Sequence, residues 1–370
     1  MHVGMTAIFQ NPEDARPDQD VYADDLRLAD LAEPLGFDSV WGVEHHFTDY
    51  TMCPDVLQFL TWVAARTERI QIGSMVVVLP WHDPLRVAEQ VSMLDTMSGG
   101  RFILGIGRGL GRVEFEGFRV PMGESRERFV EAAEMLLRGL EDGYCEYRGK
   151  FLQQPRAPIR PRPFKTFRGR TYAAAVSPES SRLMAQLGVG ILIIPQKPWE
   201  QVEAELAEYR RIYRDVNGAE APPPIVAGWT FCDESADRAR EMAVRYIGGY
   251  WRTVMKHYEL RGEHLAFIKG YESYARLQEI IRSGGADALT EFFLSLQVWG
   301  TPEQCYERVL ENRQRTGSES FVAAFSYAGM PHEEAVRSMR LFAREVLPEL
   351  KAVPPLAQQA EATAQGVAAR

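Results

Sequence analysis

The run Gly105-Ile106-Gly107-Arg108-Gly109-Leu110-Gly111 sets one cation among four glycines. Glycines at alternate positions let a backbone approach a ligand closely, because no Cβ stands in the way. The arginine offers a planar fork of donors suited to phosphate. No P-loop lysine follows, and a glycine spacing alone is weak evidence for a phosphate site. A second segment strengthens it. Ser177-Pro178-Glu179-Ser180-Ser181 reads as a helix start, with a capping serine, a proline at the first helical position and hydroxyls in the first turn. Such a start presents unpaired N–H groups and a dipole that favours an anion. Arg126, in Gly123-Glu124-Ser125-Arg126, opens another helix and adds a second cation. Arg108, Arg126, Ser177 and Ser180 together predict a phosphate-type anion site.

A different chemistry is offered by Glu44-His45-His46 and by His82. Histidine takes and gives a proton near neutral pH, which suits a general acid/base. Three of the seven histidines fall in these two short segments. Zinc would want three or four ligands, and no HxxxH or CxxC spacing is present, so no metal site is expected. His45 is the candidate acid/base group, with Glu44 beside it to orient it. His46 and His82 are read as structural hydrogen-bonding residues.

These residues must be positioned by something, and the hydrophobic periodicity says what. Strands are predicted at 3–9, 37–43, 70–79, 101–106, 171–176, 190–194, 225–231 and 321–325. Helices are predicted between them at 21–35, 54–66, 84–97, 124–140, 178–187, 198–216 and 236–250, with others from 301 and over 332–346. Eight strands alternating with helices predict a single-domain (β/α)₈ TIM barrel over residues 1–350. A doubly wound open sheet is the alternative, and the count of eight favours the barrel. Residues 144–170, rich in Pro, Arg and aromatics, read as an inserted excursion after the fourth helix. Residues 251–298 break the rhythm between the seventh and eighth strands. The Ala/Gln/Pro-rich tail is expected to be disordered, residues 351–370 lying outside the barrel. In a barrel the working face lies at the C-terminal strand ends. Glu44-His45-His46, His82, Arg108 and Ser177 each follow a strand.

Composition bounds the function. The 370 residues carry 45% apolar and 25% charged side chains, ordinary for a globular protein with a sizeable core. A net charge of -9 argues against a nucleic-acid partner but leaves room for one cationic pocket. Cys53, Cys145, Cys232 and Cys305 are scattered and read as reduced thiols. No secretory leader and no apolar run of transmembrane length is read, so a cytoplasmic protein with no membrane role is expected.

At this point the motifs match a family. Val76-Val77-Val78-Leu79-Pro80, His82-Asp83-Pro84, Leu94-Asp95-Thr96-Met97-Ser98-Gly99-Gly100-Arg101 and Gly105-Ile106-Gly107-Arg108-Gly109-Leu110 resemble those of the bacterial luciferase-like flavin monooxygenases. Glu44-His45-His46-Phe47-Thr48 and Trp299-Gly300-Thr301-Pro302-Glu303-Gln304-Cys305 fit the same pattern, the luciferase α-subunit in particular. The resemblance runs from the first strand to about residue 350.

It implies a TIM barrel that receives reduced FMN from a separate reductase and reacts it with O₂. The resulting flavin C4a-hydroperoxide would oxygenate a small organic substrate. It implies further that Arg108 grips the FMN phosphate, assisted by Arg126, Ser177 and Ser180. Val176 stands where the family has a glutamate, so one contact is absent or replaced. Gly107 stands where luciferase has a reactive cysteine, which implies a changed pocket. Met75-Val76 aligns with a non-proline cis peptide beneath the flavin ring, and residues 256–297 with a mobile lid. His45 is again the catalytic histidine. A homodimer is expected. Two other functions compete: an F420-dependent oxidoreductase on the same barrel, and a non-catalytic flavin-binding partner protein.

Overall fold

The computed structural model describes residues 1–174 and 178–356. Val176, Ser177 and residues 357–370 of the tail lie outside the described residues. Twelve strands are seen among them: β1 (His2–Ala7), β2 (Ser39–Gly42), β3 (Gln71–Ser74), β4 (Val77–Val78), β5 (Phe102–Gly107), β6 (Tyr144–Arg148), β7 (Gln153–Pro158), β8 (Thr171–Ala174), β9 (Gly190–Ile193), β10 (Ile225–Cys232), β11 (Val298–Gly300) and β12 (Ser320–Ala324). Eight of them close a parallel barrel in the order β1-β2-β3-β5-β8-β9-β10-β12, with β12 returning to β1. The predicted (β/α)₈ barrel is therefore the fold. Its strands face helices outside and packed side chains inside, which is why β5 and β10 are apolar and buried along their whole length.

The barrel interior is filled, not open. Trp41, Ile103, Leu192, Ile225, Ala227 and Val322 form a buried cluster of their own. Trp41 needs small neighbours to fit. A Cβ on Gly73 would lie 2.3 Å from its ring, and one on Gly4 would lie 2.9 Å from its Nε1. The indole N–H donates to Ser39 Oγ at 2.7 Å, so the one polar atom of this plug is satisfied.

The helices that bear on the site are α1 (Asp18–Asp30), α2 (Val56–Arg66), α3 (Pro84–Met97), α4 (Arg112–Gly117), α5 (Ser125–Asp142), α6 (Pro178–Leu187), α7 (Trp199–Asn217), α8 (Ala236–Met242) and α9 (Gly248–His257). Their starts follow capping chemistry. Asp83 accepts from the Leu85 and Arg86 N–H groups ahead of Pro84, and Asp55 accepts from Gln58 N–H. Three readings of the sequence need correction. Residues 70–79 are not one strand: β3 and β4 are separated at the Met75-Val76 peptide, which is cis. The first helix starts and ends earlier than 21–35. The helix α4 was not predicted, because six residues are too few for a helical period to show.

The excursion at 144–170 contains the antiparallel hairpin β6–β7, as predicted. Residues 251–298 continue α9 and then fold into α10 (Ala275–Ile280) and α11 (Ala286–Ser295), joined by short turns. They end in β11, which extends the sheet beside the last residues of β10 and was not anticipated. After α12 (Pro302–Thr316) and α13 (His332–Glu345), α14 (Leu347–Ala352) closes the far end, where the Met1 ammonium donates to Leu350 O at 3.0 Å. Contacts continue past residue 351: Leu356 N–H donates to Glu319 Oε1 at 2.7 Å. All four cysteines are buried and unpaired. Among the described residues no helix is long and apolar enough to cross a membrane.

Where β3 stops, Ser74 replaces the ladder. Its Oγ accepts from Gly105 N–H at 2.8 Å and donates to Gly105 O at 2.9 Å. A Cβ on Gly105 would sit 1.9 Å from the Ser74 carbonyl oxygen. Backbone cannot yield as a flexible side-chain tip does. Gly105→Ala is expected to cost about 3 kcal/mol of stability, read from the urea midpoint. An unchanged midpoint would mean that the two strands do not approach this closely.

Candidate active site

At the C-terminal mouth of the barrel lies a cavity of about 280 Å³. Loops after β1, β2, β4, β5, β9 and β10 reach it, as the parallel topology requires. Its lining includes Glu44, His45, Met75, Val76, Gly107, Arg108, Arg126 and Ser180, all predicted from sequence. These residues, scattered over more than 130 positions, are brought to one place. Val176 and Ser177 lie outside the described residues.

One end of the cavity is cationic. Arg108 leaves β5 and Arg126 begins α5, and both reach the same acceptor. Arg108 Nη1 donates to Gly270 O at 2.9 Å and Arg126 Nη2 to the same oxygen at 3.4 Å. The Arg108 guanidinium lies 4.0 Å from the centre of the Tyr271 ring. Tyr271 is itself fixed, its hydroxyl donating to Gly109 O and sharing a hydrogen bond with Ser125. Arg126 also pairs with Glu179, an exposed acid in the first turn of α6. Two guanidinium groups converging on one carbonyl oxygen, with further N–H donors in reserve and a helix start alongside, fit a phosphate.

Gly107 does not leave empty space beside it. A Cβ there would meet Val76 Cγ2 at 2.3 Å, so Val76 already fills that space. Trp81, Trp229, Tyr250 and Trp251 all line the cavity. Trp229 packs on Tyr250 with ring centres 4.0 Å apart.

The histidines are organised by two buried carboxylates with separate tasks. Glu44 does not orient His45, contrary to expectation. Its Oε1 accepts from His46 Nε2 at 3.0 Å and His82 Nε2 at 2.6 Å, and its Oε2 from Val78 N–H at 2.9 Å. Burial pushes the Glu44 carboxyl up, but the hydrogen bonds from His46 and His82 outweigh it and hold it below its usual range. Burial pulls His82 down, and its bond to Glu44 more than reverses this. Glu44 thus clamps the loop after β2 to the loop after β4. His46 and His82 are the structural hydrogen-bonding residues they were read to be.

His45 is held by Glu114, on α4. Its Nδ1 donates to Glu114 Oε1 at 2.9 Å, and His46 N–H donates to the same oxygen at 3.0 Å. The other oxygen, Oε2, faces His257 Nε2 at 3.5 Å. Burial pushes the Glu114 carboxyl up; the charge of His45, with His257 beyond it, overcomes this and holds it at about 2. The ligand atoms of His45, Glu114 and His257 all lie within 4.8 Å of one another, close enough for a metal ion.

Sequence reasoning missed Glu114 and His257. Glu114 stood in a stretch where no helix was predicted, and His257 in the segment without strand rhythm. The only available signal was the pair of acids in Arg112-Val113-Glu114-Phe115-Glu116, three residues past the glycine run.

The mouth of this (β/α)₈ barrel thus joins a paired-arginine end, an apolar aromatic wall and a carboxylate-held histidine. The chain belongs to the luciferase-like monooxygenase family, whose profile matches residues 1–320, and is thereby a flavin-dependent monooxygenase. It is 24% identical over 333 residues to an alkanal monooxygenase alpha chain of Photorhabdus luminescens, covering 88% of this chain and 91% of that one. The crystal structure of the monooxygenase RslO1 from Streptomyces bottropensis matches with a TM-score of 0.79 and 27% identity, over 94% of this chain and 99% of that one. The oxygenating constituent of 3,6-diketocamphane monooxygenase of Pseudomonas putida, in complex with FMN, shares the fold, with a TM-score of 0.73 and 16% identity over 96% and 100% of the two chains.

The arginine pair sets up a direct comparison between ligands that differ by one phosphate. Arg108→Ala is expected to weaken FMN binding about tenfold to a hundredfold, since a charge-assisted contact contributes roughly 1.5–3 kcal/mol. Riboflavin, lacking the phosphate, should bind both forms alike. Equal losses for the two flavins, measured by fluorescence quenching, would place the phosphate elsewhere.

Proposed function

We propose that this protein is the oxygenating component of a two-component system. It takes FMNH₂ from a separate flavin reductase and uses it with O₂ to oxygenate a small organic substrate. The observation that carries this reading is that one cavity holds both the arginine pair and His45. An anion anchor and a proton-handling group lining one apolar space match a phosphate-bearing redox cofactor working on an apolar substrate.

In this reading Arg108, Arg126, Ser177 and Ser180 hold the phosphate, and Glu179 gives up its pairing with Arg126 when it arrives. Met75, Val76 and Gly107 back the ring system. Val176 contributes no charge, so the arginines carry more of the grip than a glutamate at that position would allow. When bound, the reduced flavin supplies electrons and activates O₂. The aromatic wall keeps water away from that chemistry, and the segment from residue 251 to 298 covers the mouth. His45, with Nδ1 committed to Glu114, keeps Nε2 to hand a proton to the reacting oxygen and take one back. A natural-product intermediate and an aldehyde are the substrate classes to test first.

Anaerobic titration with reduced FMN and, separately, reduced F420, followed by admission of O₂, tests the reading. Binding of reduced FMN, O₂ uptake and oxygenated product in equal amounts support it. Tight binding of F420 with hydride transfer and no O₂ uptake would replace it with an F420-dependent oxidoreductase. Flavin binding with neither reaction would leave a flavin-binding partner protein. His45→Ala is expected to keep flavin affinity and fold while losing product per reduced flavin by roughly 10²–10⁴-fold. Near-normal yield in that variant across several pH values would remove His45 from the mechanism.

A further inference from the structure

Glu114 is completely buried, and its two oxygens face different parts of the chain. Oε1 serves the loop after β2, through His45 Nδ1 and His46 N–H. Oε2 faces His257 Nε2, and neither of these two atoms has a hydrogen-bond partner among the described residues. His257 is the last residue of α9, at the root of the long excursion that runs to β11. Its other ring nitrogen, Nδ1, lies 3.1 Å from Thr48 Oγ1, back on the His45 loop. Tyr50 stacks on the His257 ring, 4.4 Å between centres and 15° between planes, and sets its edge against His45 at 4.8 Å. Tyr258 closes the cluster against both histidines. A buried carboxylate is costly unless its oxygens are engaged, and His257, at the root of the excursion, is the ring that faces the second.

We propose that Glu114 and His257 are positioning residues that hold His45 and couple it to the seating of the excursion over the cavity. Glu114 fixes the proton of His45 on Nδ1, so that Nε2 is the atom that works. His257 fixes Glu114 from the other side, and does so only while the root of the excursion is docked. The acid/base centre is therefore complete when the cavity is covered and incomplete when it is open. The titratable groups packed here are His45, Glu114, His257, Tyr50 and Tyr258, with Asp49 acting on His257 from a little further off. Burial lowers His257, against the opposing pull of the Glu114 carboxylate. The inference rests on the reading of His45 as the acid/base group.

Two measurements separate the outcomes. ¹⁵N NMR of the ligand-free protein reports which nitrogen of His45 carries the proton. Wild type is expected to hold it on Nδ1, and Glu114→Gln, whose amide both donates and accepts, to show a mixture of tautomers. The same tautomer in both proteins would overturn the proposal, whatever the activity proves to be. Product per reduced flavin is then followed against pH. Glu114→Gln should lower the yield about tenfold to a hundredfold and move the histidine-dependent limb to lower pH by roughly one unit or more, because an imidazolium has lost its counter-charge. Glu114→Asp keeps the charge with a shorter reach, so its limb should stay near that of wild type while its yield falls; it also serves if the Gln variant does not fold. A purely structural role would lower yield in both without moving the limb, and would overturn the proposal.

His257→Asn is expected to divert reduced flavin severalfold toward hydrogen peroxide with the limb unmoved. Unchanged coupling in that variant would also overturn the link to the excursion. Activity lost to EDTA and restored by zinc would overturn it differently, because the cluster would then hold an ion. Failure of wild type to oxygenate anything with reduced FMN would sink the functional reading, yet the NMR arm would still decide the role of Glu114.

Discussion

Closure of eight parallel strands around a filled interior is the constraint from which the rest follows. Trp41 and its cluster occupy the space inside the barrel, with Gly4 and Gly73 giving way to the indole. No ligand can enter there. The strand ends that lead into short, shaped loops are the C-terminal ones, and all parallel strands present them on the same side. Every group with chemistry to offer is thereby directed to one rim. The cationic run after β5 and the histidines after β2 share a cavity for this reason, although 62 positions separate His45 from Gly107.

Two carboxylates at this rim show how burial and function divide. Glu44 and Glu114 are both buried, and burial raises a carboxyl's affinity for its proton. Both are nevertheless held below the usual range by imidazole partners. Glu44 spends its oxygens on His46, His82 and a backbone N–H, which locks two loops together. Glu114 leaves one oxygen facing a residue on a different, much longer segment. The first arrangement is a clamp. The second joins His45 to His257, at the start of that segment.

That long segment also touches the anion end. Gly270 gives its carbonyl to Arg108 and Arg126, and Tyr271 supports Arg108 from beneath. One excursion thus meets both ends of the cavity, through Tyr271 at the arginines and His257 at the histidine. A carbonyl oxygen carries only a partial charge, so a phosphate, with full charge and three oxygens, has the stronger claim on both guanidinium groups. Arg108 and Arg126 are thus tied to the same segment that carries His257 at its root.

Much of this was legible in the chain itself. Alternating apolar strands and amphipathic helices specify the barrel, because each period of burial belongs to one kind of element. The glycine run around Arg108 and the helix start at Arg126 point to the candidate anion site through local backbone chemistry, which needs no distant partner. The histidine loop stood out because histidine at a strand's end has few structural reasons to be paired with another. What the sequence could not determine was which acid serves which histidine. Glu44, adjacent to His45, was the natural choice, yet its side chain points to His46 and His82. Glu114 lies 69 residues from His45, and His257 lies 143 beyond Glu114. Val76 filling the space beside Gly107 is a fact of the same kind. Hydrogen bonds and close packing are fixed within a few tenths of an ångström, and separation along the chain carries no information about them. Only the folded arrangement, which sets side-chain direction and burial together, decides which charges meet.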